Sequence, residues 1–332
     1  MLACLAGCLV AGCGKTTVEM DPQELTLRPR AAVTTPGDLS GGNNPGTKAD
    51  PELTGVTLGT DNSYVIYASA SNEAFPTFMQ GQLYSYISAN SQWEASSSAG
   101  TADPVYWPVG GGALDFLAYA CTPAAQTALG SSIAWAAVPA NGFTVSDWDT
   151  YANQYDLMYA FANAQTVAAN SGTVDMEFNH SMAVIAFTAK CSVANVFTLN
   201  SITINGLEYS GTFTANNAYT EFSAGWSSMT AADKVVYNLS GTTADYDYIV
   251  PTTATQCAQH LLVPQQAAKS VTIRYTMPGA ASALDYTVRL PRTVWKAGHK
   301  YVYALDITLN EIIITETVTD WSEASIPQIT LN

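Results

Sequence analysis

The residues able to do chemistry are few and poorly spaced for it. Three histidines, His180, His260 and His299, stand at no metal-ligand spacing from a Cys, an Asp or one another. Asp147, Asp149 and Asp156 gather near Trp148 and Tyr155. Carboxylates beside aromatic rings can take calcium or a sugar, or they can be an ordinary solvated loop. Gly14-Lys15-Thr16 has the end of a phosphate-binding loop, but the glycine required five residues earlier is Leu9. Neither a Gly-x-Ser-x-Gly elbow nor a His-Glu-x-x-His pair occurs. The sequence singles out no carboxylate pair for glycoside hydrolysis. The expectation is a protein that is not an enzyme, with no catalytic residue, no metal and no cofactor. His180 and His299 are expected to cap or pack strands.

The cysteines divide into two groups. Leu2–Gly12 is a short apolar run ending in small residues, too short to span a bilayer, and it reads as an export signal. Val10-Ala11-Gly12-Cys13 looks like a bacterial lipobox, in which the leader is cut before the cysteine and the thiol is diacylated. Leu5-Ala6-Gly7-Cys8 has the same form with a shorter apolar run, so Cys13 is the expected lipidation site. The alternative is a buried N-terminal helix. No Lys or Arg precedes the apolar run, so the true start is expected upstream. Cys121, Cys191 and Cys257 remain, and an odd number closes no disulfide framework. They read as small buried hydrophobes.

The elements that must carry these residues are strands. Hydrophobic residues make up 48% of the 332, and charged residues only 12%. Low charge with many Thr, Tyr, Val and Ile suits pleated, half-buried strands. The net charge of −15 excludes nucleic acid and anionic headgroups as partners. No Lys or Arg occurs from Ala49 to Ala189, so a trypsin-like protease has nothing to cut there. Leu25 to Val33 alternates apolar and polar residues, and Pro29 confines that strand to a sheet edge. A turn-rich loop from Thr35 to Lys48 follows. Strand-like runs then recur from Tyr64 to Thr319, with one short helix expected at 124–129 and irregular chain through the rest of 122–155. Asn205-Gly206 reads as a two-residue hairpin turn between Ile204 and Leu207. No βαβ alternation occurs, which argues against a parallel sheet.

Several phrases resemble fimbrillins, the subunits of Bacteroides-type (type V) pili. They are Phe178-Asn179-His180-Ser181-Met182-Ala183-Val184-Ile185-Ala186-Phe187, then Ile202-Thr203-Ile204-Asn205-Gly206-Leu207 and Leu262-Val263-Pro264-Gln265. The most specific is Trp295-Lys296-Ala297-Gly298-His299-Lys300-Tyr301-Val302-Tyr303, with a last strand ending Val318-Thr319-Asp320-Trp321. Tyr106-Trp107-Pro108 and Leu114-Asp115-Phe116-Leu117-Ala118-Tyr119 add to it in the first half.

The resemblance implies an all-β chain of two tandem antiparallel β-sandwich domains of the fimbrillin type. The expected divisions are 1–13 (signal and lipobox), 14–50 (N-terminal strand and processing loop), 51–172 and 173–332 (the two sandwiches). It implies an exported outer-membrane lipoprotein, held through its lipid anchor and displayed on the cell surface in a fimbria. It also implies cleavage by a trypsin-like protease after a basic residue, release of the first strand, and filling of the groove by a strand from a neighbouring pilin subunit. Lys48 is the expected processing site, with Arg28 and Arg30 as alternatives and no processing as a third. Beyond Trp321, Pro327, Ile329 and Leu331 fall on one face of an extended segment. That segment is a candidate donor strand or a plain last edge strand; in the second case the subunit is a tip or accessory pilin. The competing reading is a monomeric cell-surface glycan-binding lipoprotein using exposed Trp148 or Trp226. Partners are therefore other pilins and a host or bacterial surface glycan or protein.

Overall fold

The run Leu114–Cys121 is apolar at nearly every position because both of its faces are covered. Phe116, Ala118 and Ala120 face one core with Tyr64, Ile66 and Phe178. Leu117, Tyr119 and Cys121 face another with Phe143, Val145 and Phe213. The rest of the fold follows from how these two cores are closed. The computed structural model describes residues 23–31, 63–70, 78–89, 91–95, 104–108, 112–121, 129, 132–137, 139–194, 196–218, 221–238, 249–266, 269–277, 279–291, 294–308 and 311–321.

Strands β1 (Thr26–Ala31), β2 (Ser63–Ala70), β3 (Met79–Ile87), β4 (Gln92–Ala95) and β5 (Leu114–Cys121) come first in the chain. β6 (Ile133–Trp135), β7 (Gly142–Asp149), β8 (Met158–Gln165), β9 (Thr173–His180) and β10 (Ala183–Cys191) follow. Then come the long β11 (Thr198–Ala218) and β12 (Glu221–Asn238), β13 (Thr255–Leu262) and β14 (Gln265–Gln266). The last are β15 (Ser270–Thr276), β16 (Leu284–Arg289), β17 (Val294–Trp295), β18 (His299–Ile307) and β19 (Ile312–Asp320).

A seven-stranded sheet runs β1-β9-β8-β5-β2-β3-β4. A second sheet runs β16-β15-β11-β7-β6, with β12 also on β11, and a third runs β13-β10-β18-β19. Alternation sets which face each strand buries. In β18, Tyr301, Tyr303, Leu305 and Ile307 point inward and Lys300, Val302, Ala304 and Asp306 are half-covered. These inward residues meet Ile202, Ile204 and Ile273 of the second sheet in the largest core.

The all-β architecture stands, with differences of detail. Two ladders, β1–β9 and β10–β18, are parallel, and the others are antiparallel. Sheet membership crosses residue 172 in both directions. β9 follows it yet pairs with β8 in the first sheet, whereas β6 and β7 precede it and extend the second. The stretch 122–155, expected to be irregular, contains β6 and β7. Of the helix expected at 124–129, only Leu129 lies within the described residues.

Asn205-Gly206 is not a hairpin turn. β11 runs straight through it, and the register passes from Ile204↔Lys234 to Leu207↔Ala232. The pair therefore forms a bulge opposite Asp233. Gly206 adopts φ +63, its N–H donates to Asp233 Oδ1 at 2.7 Å, and its carbonyl accepts from Lys269 Nζ at 2.6 Å. Those bonds satisfy the backbone groups that a closing turn would otherwise have used.

Cys121, Cys191 and Cys257 are free and buried. Burial pushes the Cys121 thiol well above the usual thiol range and Cys257 up to about 12. Since the thiolate is the nucleophile, Cys121 and Cys257 should resist iodoacetamide in the native protein at pH ~8. All three should react once the chain is unfolded in denaturant. Mass spectrometry of the alkylated peptides checks this, and native-state labelling of Cys121 would contradict the packing.

Candidate strand-exchange groove

β1 lies at the edge of the seven-stranded sheet, where Pro29, having no N–H, leaves no central ladder bond unmade. It pairs in parallel with β9, from Thr26↔Thr173 to Ala31↔Phe178. Leu25 and Leu27 point inward and are 2% and 1% exposed, against Tyr64, Val174 and Met176. Thr26 and Arg28 face outward. Each buried leucine contributes about 1.5–3 kcal/mol, so side-chain burial holds β1 more strongly than its outward contacts do. Arg28 Nε meets Asp175 Oδ1 at 2.7 Å, but both side chains are substantially exposed, 53% and 36%. Such a pair contributes about 0–1 kcal/mol.

The start of β1 is held on two sides. Thr26 N donates to Gly172 O at 3.0 Å. Leu25 N donates to Val105 O at 2.7 Å, and Trp107 N donates to Gln23 O at 3.0 Å. Gly172, at φ +86, sits so close that a Cβ there would lie 2.6 Å from Gln23 Nε2. Its carbonyl also accepts from Trp107 Nε1 at 3.2 Å. Residues 23–25 are therefore clasped between the turn at 172 and the segment 105–107. From Thr26 onward, β9 is the only strand that pairs with β1 among the described residues. Removing β1 would bare the β9 edge and a slot once filled by Leu25, Leu27 and the half-buried Pro29.

Arg28 lies within the β1–β9 ladder, and so does the Arg30 backbone, opposite Glu177. Cys13, Lys48, Pro327, Ile329 and Leu331 lie outside the described residues.

The far end of the chain meets the same sheet. Asp156 Oδ2 and His180 Nδ1 are 2.6 Å apart and both buried. The His180 ring stacks on Trp321, centroids 3.5 Å apart at 9°. Trp321 N donates to Gly298 O at 3.1 Å, and Gly298 N donates to Met182 O at 2.8 Å. The last described residue is thus pinned where β9 ends. No spacing rule finds this cluster, because 24 residues separate Asp156 from His180 and 141 separate His180 from Trp321. The aspartates expected as a group do not act together: Asp156 serves His180, and Asp149 Oδ1 accepts from Ala152 N. Trp148 is buried, not exposed, and Trp226 is half-buried with its Nε1 donating to Ser181 O at 2.7 Å. His299 is buried, as its place in β18 requires. Among the described residues no group of three or more His, Cys, Asp or Glu could hold a metal ion. None of the described helices is long and apolar enough to cross a membrane.

Comparison with known proteins follows the same lines. A fimbrial protein from Bacteroides vulgatus superimposes with a TM-score of 0.58 at 18% identity, covering 90% of this chain and 100% of its own. A candidate cell adhesion protein from Bacteroides uniformis gives 0.54 at 18% identity, covering 91% and 99%. At these identities the likeness is one of fold. No curated protein matches by sequence. The family model described as fimbrillin-like matches residues 47–321. The chain therefore belongs to the fimbrillin-like family of surface fimbrial proteins, whose part is structural.

Proposed function

We propose that the chain is a structural, adhesive subunit of a fimbria that assembles by protease-triggered strand exchange. A protease removes β1, and a strand of a neighbouring subunit fills the groove it leaves. The observation that carries this reading is the position of β1: at a sheet edge, on a single ladder from Thr26 onward, yet filling the core with Leu25 and Leu27. An unpaired edge is a template for another strand, and main-chain bonds plus alternate side-chain pockets give the joint its strength. Pro327, Ile329 and Leu331 put three apolar groups on one face of the C-terminal segment. Leu25, Leu27 and Pro29 do the same along residues 25–29, so the two segments present a similar apolar face. Cys13 is the proposed lipid attachment that holds the exported subunit at the outer membrane before assembly.

Arg28 and the Arg30 backbone are occupied in the β1–β9 ladder, whereas a protease needs its substrate extended and free. Lys48 is therefore the favoured site. Among the described basic residues beyond it, several are engaged as well. Lys190 pairs with Asp306, Arg274 with Asp285, and Lys234 lies over the Tyr209 ring. Limited trypsin digestion of the purified chain should cut once, after Lys48, and leave a compact core that forms multimers on a sizing column. Scattered cuts through the second half, or a cut product that stays monomeric, would count against maturation by strand release.

A further inference from the structure

At one side the second sheet ends in β16, which pairs with β15 from Ser270↔Arg289 to Tyr275↔Leu284 and with no other described strand. Five of its six residues are exposed, among them Leu284 at 48% and Tyr286 at 36%. Alternation fixes which backbone groups face the open side. Leu290 N donates to Lys269 O at 2.9 Å, which makes those two opposed residues a hydrogen-bonded pair. Stepping back by twos along the ladder, Val288, Tyr286 and Leu284 direct their N–H and C=O groups at β15. Asp285, Thr287 and Arg289 direct theirs away from the sheet, as an unfilled template for another strand.

The side chains divide in the same way. Leu284, Tyr286 and Val288 share one face, and Val288 packs against the largest core. Asp285, Thr287 and Arg289 share the other, where Thr287 Oγ1 meets Thr272 Oγ1 at 2.9 Å and Arg274 Nη1 meets Asp285 Oδ2 at 3.3 Å. This short strand is complementary to itself. Set antiparallel to a second copy about Thr287, it places Asp285 of each copy opposite Arg289 of the other. The outward backbone groups of 285, 287 and 289 then meet as hydrogen-bonded pairs. Tyr286 falls opposite Val288 in the closer, non-hydrogen-bonded pairs. Opposite charges and aromatic–β-branched pairs both favour a cross-strand joint. A register shifted by two residues sets Asp285 or Arg289 opposite Thr287 and loses both ion pairs.

The net charge of −15 opposes the approach of two copies, so a joint between them has to supply its own local attraction. β19, a free edge of the third sheet, carries Glu316 and Asp320 and no basic residue, so it would repel a copy of itself. β12 is longer, but register shifts break its ladder and Ser228 stands at φ +51; bulges of this kind turn an edge away from further pairing. β4 and β6 have only four and three residues. We propose that β16 is a two-fold contact between two copies of this chain, continuing the second sheet from one copy into the other. Such a contact closes on itself, so it ties subunits side to side and does not lengthen a fibre. Two strands of this length bury less than the roughly 1,200 Å² of a stable complex, so the contact is weak. β16 and β1 belong to different sheets, so this pairing and strand exchange can fail independently.

The test is analytical ultracentrifugation of the uncut chain at about 0.15 M salt, where long-range repulsion is largely screened. The protein should be monomeric at ~10 µM and should dimerise with a Kd of about 0.1–1 mM. Arg289→Asp and Asp285→Arg, both at exposed positions, should each abolish the dimer, because either variant alone sets like charges opposite one another in both pairs. Mixed in equal amounts, the two variants should pair with each other, within about threefold of the wild-type Kd. That rescue separates a lost contact from a damaged fold. A wild-type chain that stays monomeric at ~1 mM would overturn the proposal. So would dimerisation that persists undiminished in either variant, or two folded variants that do not pair when mixed.

Discussion

Leu27→Asp should yield a protein that multimerises without any protease. Leu27 is 1% exposed and fills the slot between β1 and the body of the sheet. The substitution forfeits about 1.5–3 kcal/mol of apolar burial and also asks a carboxylate to enter an apolar core. The total, about 3–5 kcal/mol, shifts the attached-to-detached ratio of β1 by more than about a hundredfold. Because β1 is an edge strand, the cheapest response is for it to leave while the remaining strands stay paired. The variant should therefore keep its strand content by circular dichroism, and light scattering should show multimers where the uncut wild type should give monomers. Thr26→Asp, on the outward face, should keep the strand content and stay monomeric. A Leu27→Asp protein that stays monomeric, or one that unfolds altogether, would mean that β1 is an integral part of the sheet.

The second large effect is expected at the junction. His180→Ala should lower stability by about 3–5 kcal/mol, because Asp156 is left buried without its partner. For a chain of this size that is roughly 5–15 °C in Tm. The Asp156→Ala, His180→Ala double variant should lose much less than the two single effects added together, as contacting residues do when they act as a pair. Thermal unfolding of the three variants measures the coupling directly. Additive losses would mean that the 2.6 Å contact contributes little and that the Trp321 stack alone holds the junction.

Much of the fold was legible from periodicity. The alternation from Leu25 to Val33 marked β1, and Pro29 marked it as an edge strand. The phrase Leu114–Cys121 read as a strand, and its unbroken apolar character reflects cover on both faces. The run through His299-Lys300-Tyr301 marked β18. Three things were not legible, for distinct reasons. Asn205-Gly206 has the composition of a turn, but Asp233 and Lys269, distant in sequence, take up its backbone groups and turn it into a bulge. Most of β12 is exposed and rich in Ser and Ala, so no alternation announced it before Val235; there the ladder with β11 makes it a strand. The partition of strands between sheets depends on long-range pairings such as β7 with β11, which no local pattern encodes. Of the candidate site, β1 itself could be read, whereas the clasp by Gly172 and Val105–Trp107 and the Asp156–His180–Trp321 stack could not.

Backbone hydrogen exchange along Thr173–Phe178 of β9 interrogates the donor-strand idea where it must succeed or fail. In the uncut chain, the β9 amides facing β1 should exchange slowly. Trimming with trypsin and removing the released N-terminal fragment should make them fast in the monomer, and slow again in multimers. Amides that stay slow in the trimmed monomer, or a released fragment that never leaves, would show that no groove opens and that these subunits are joined in some other way.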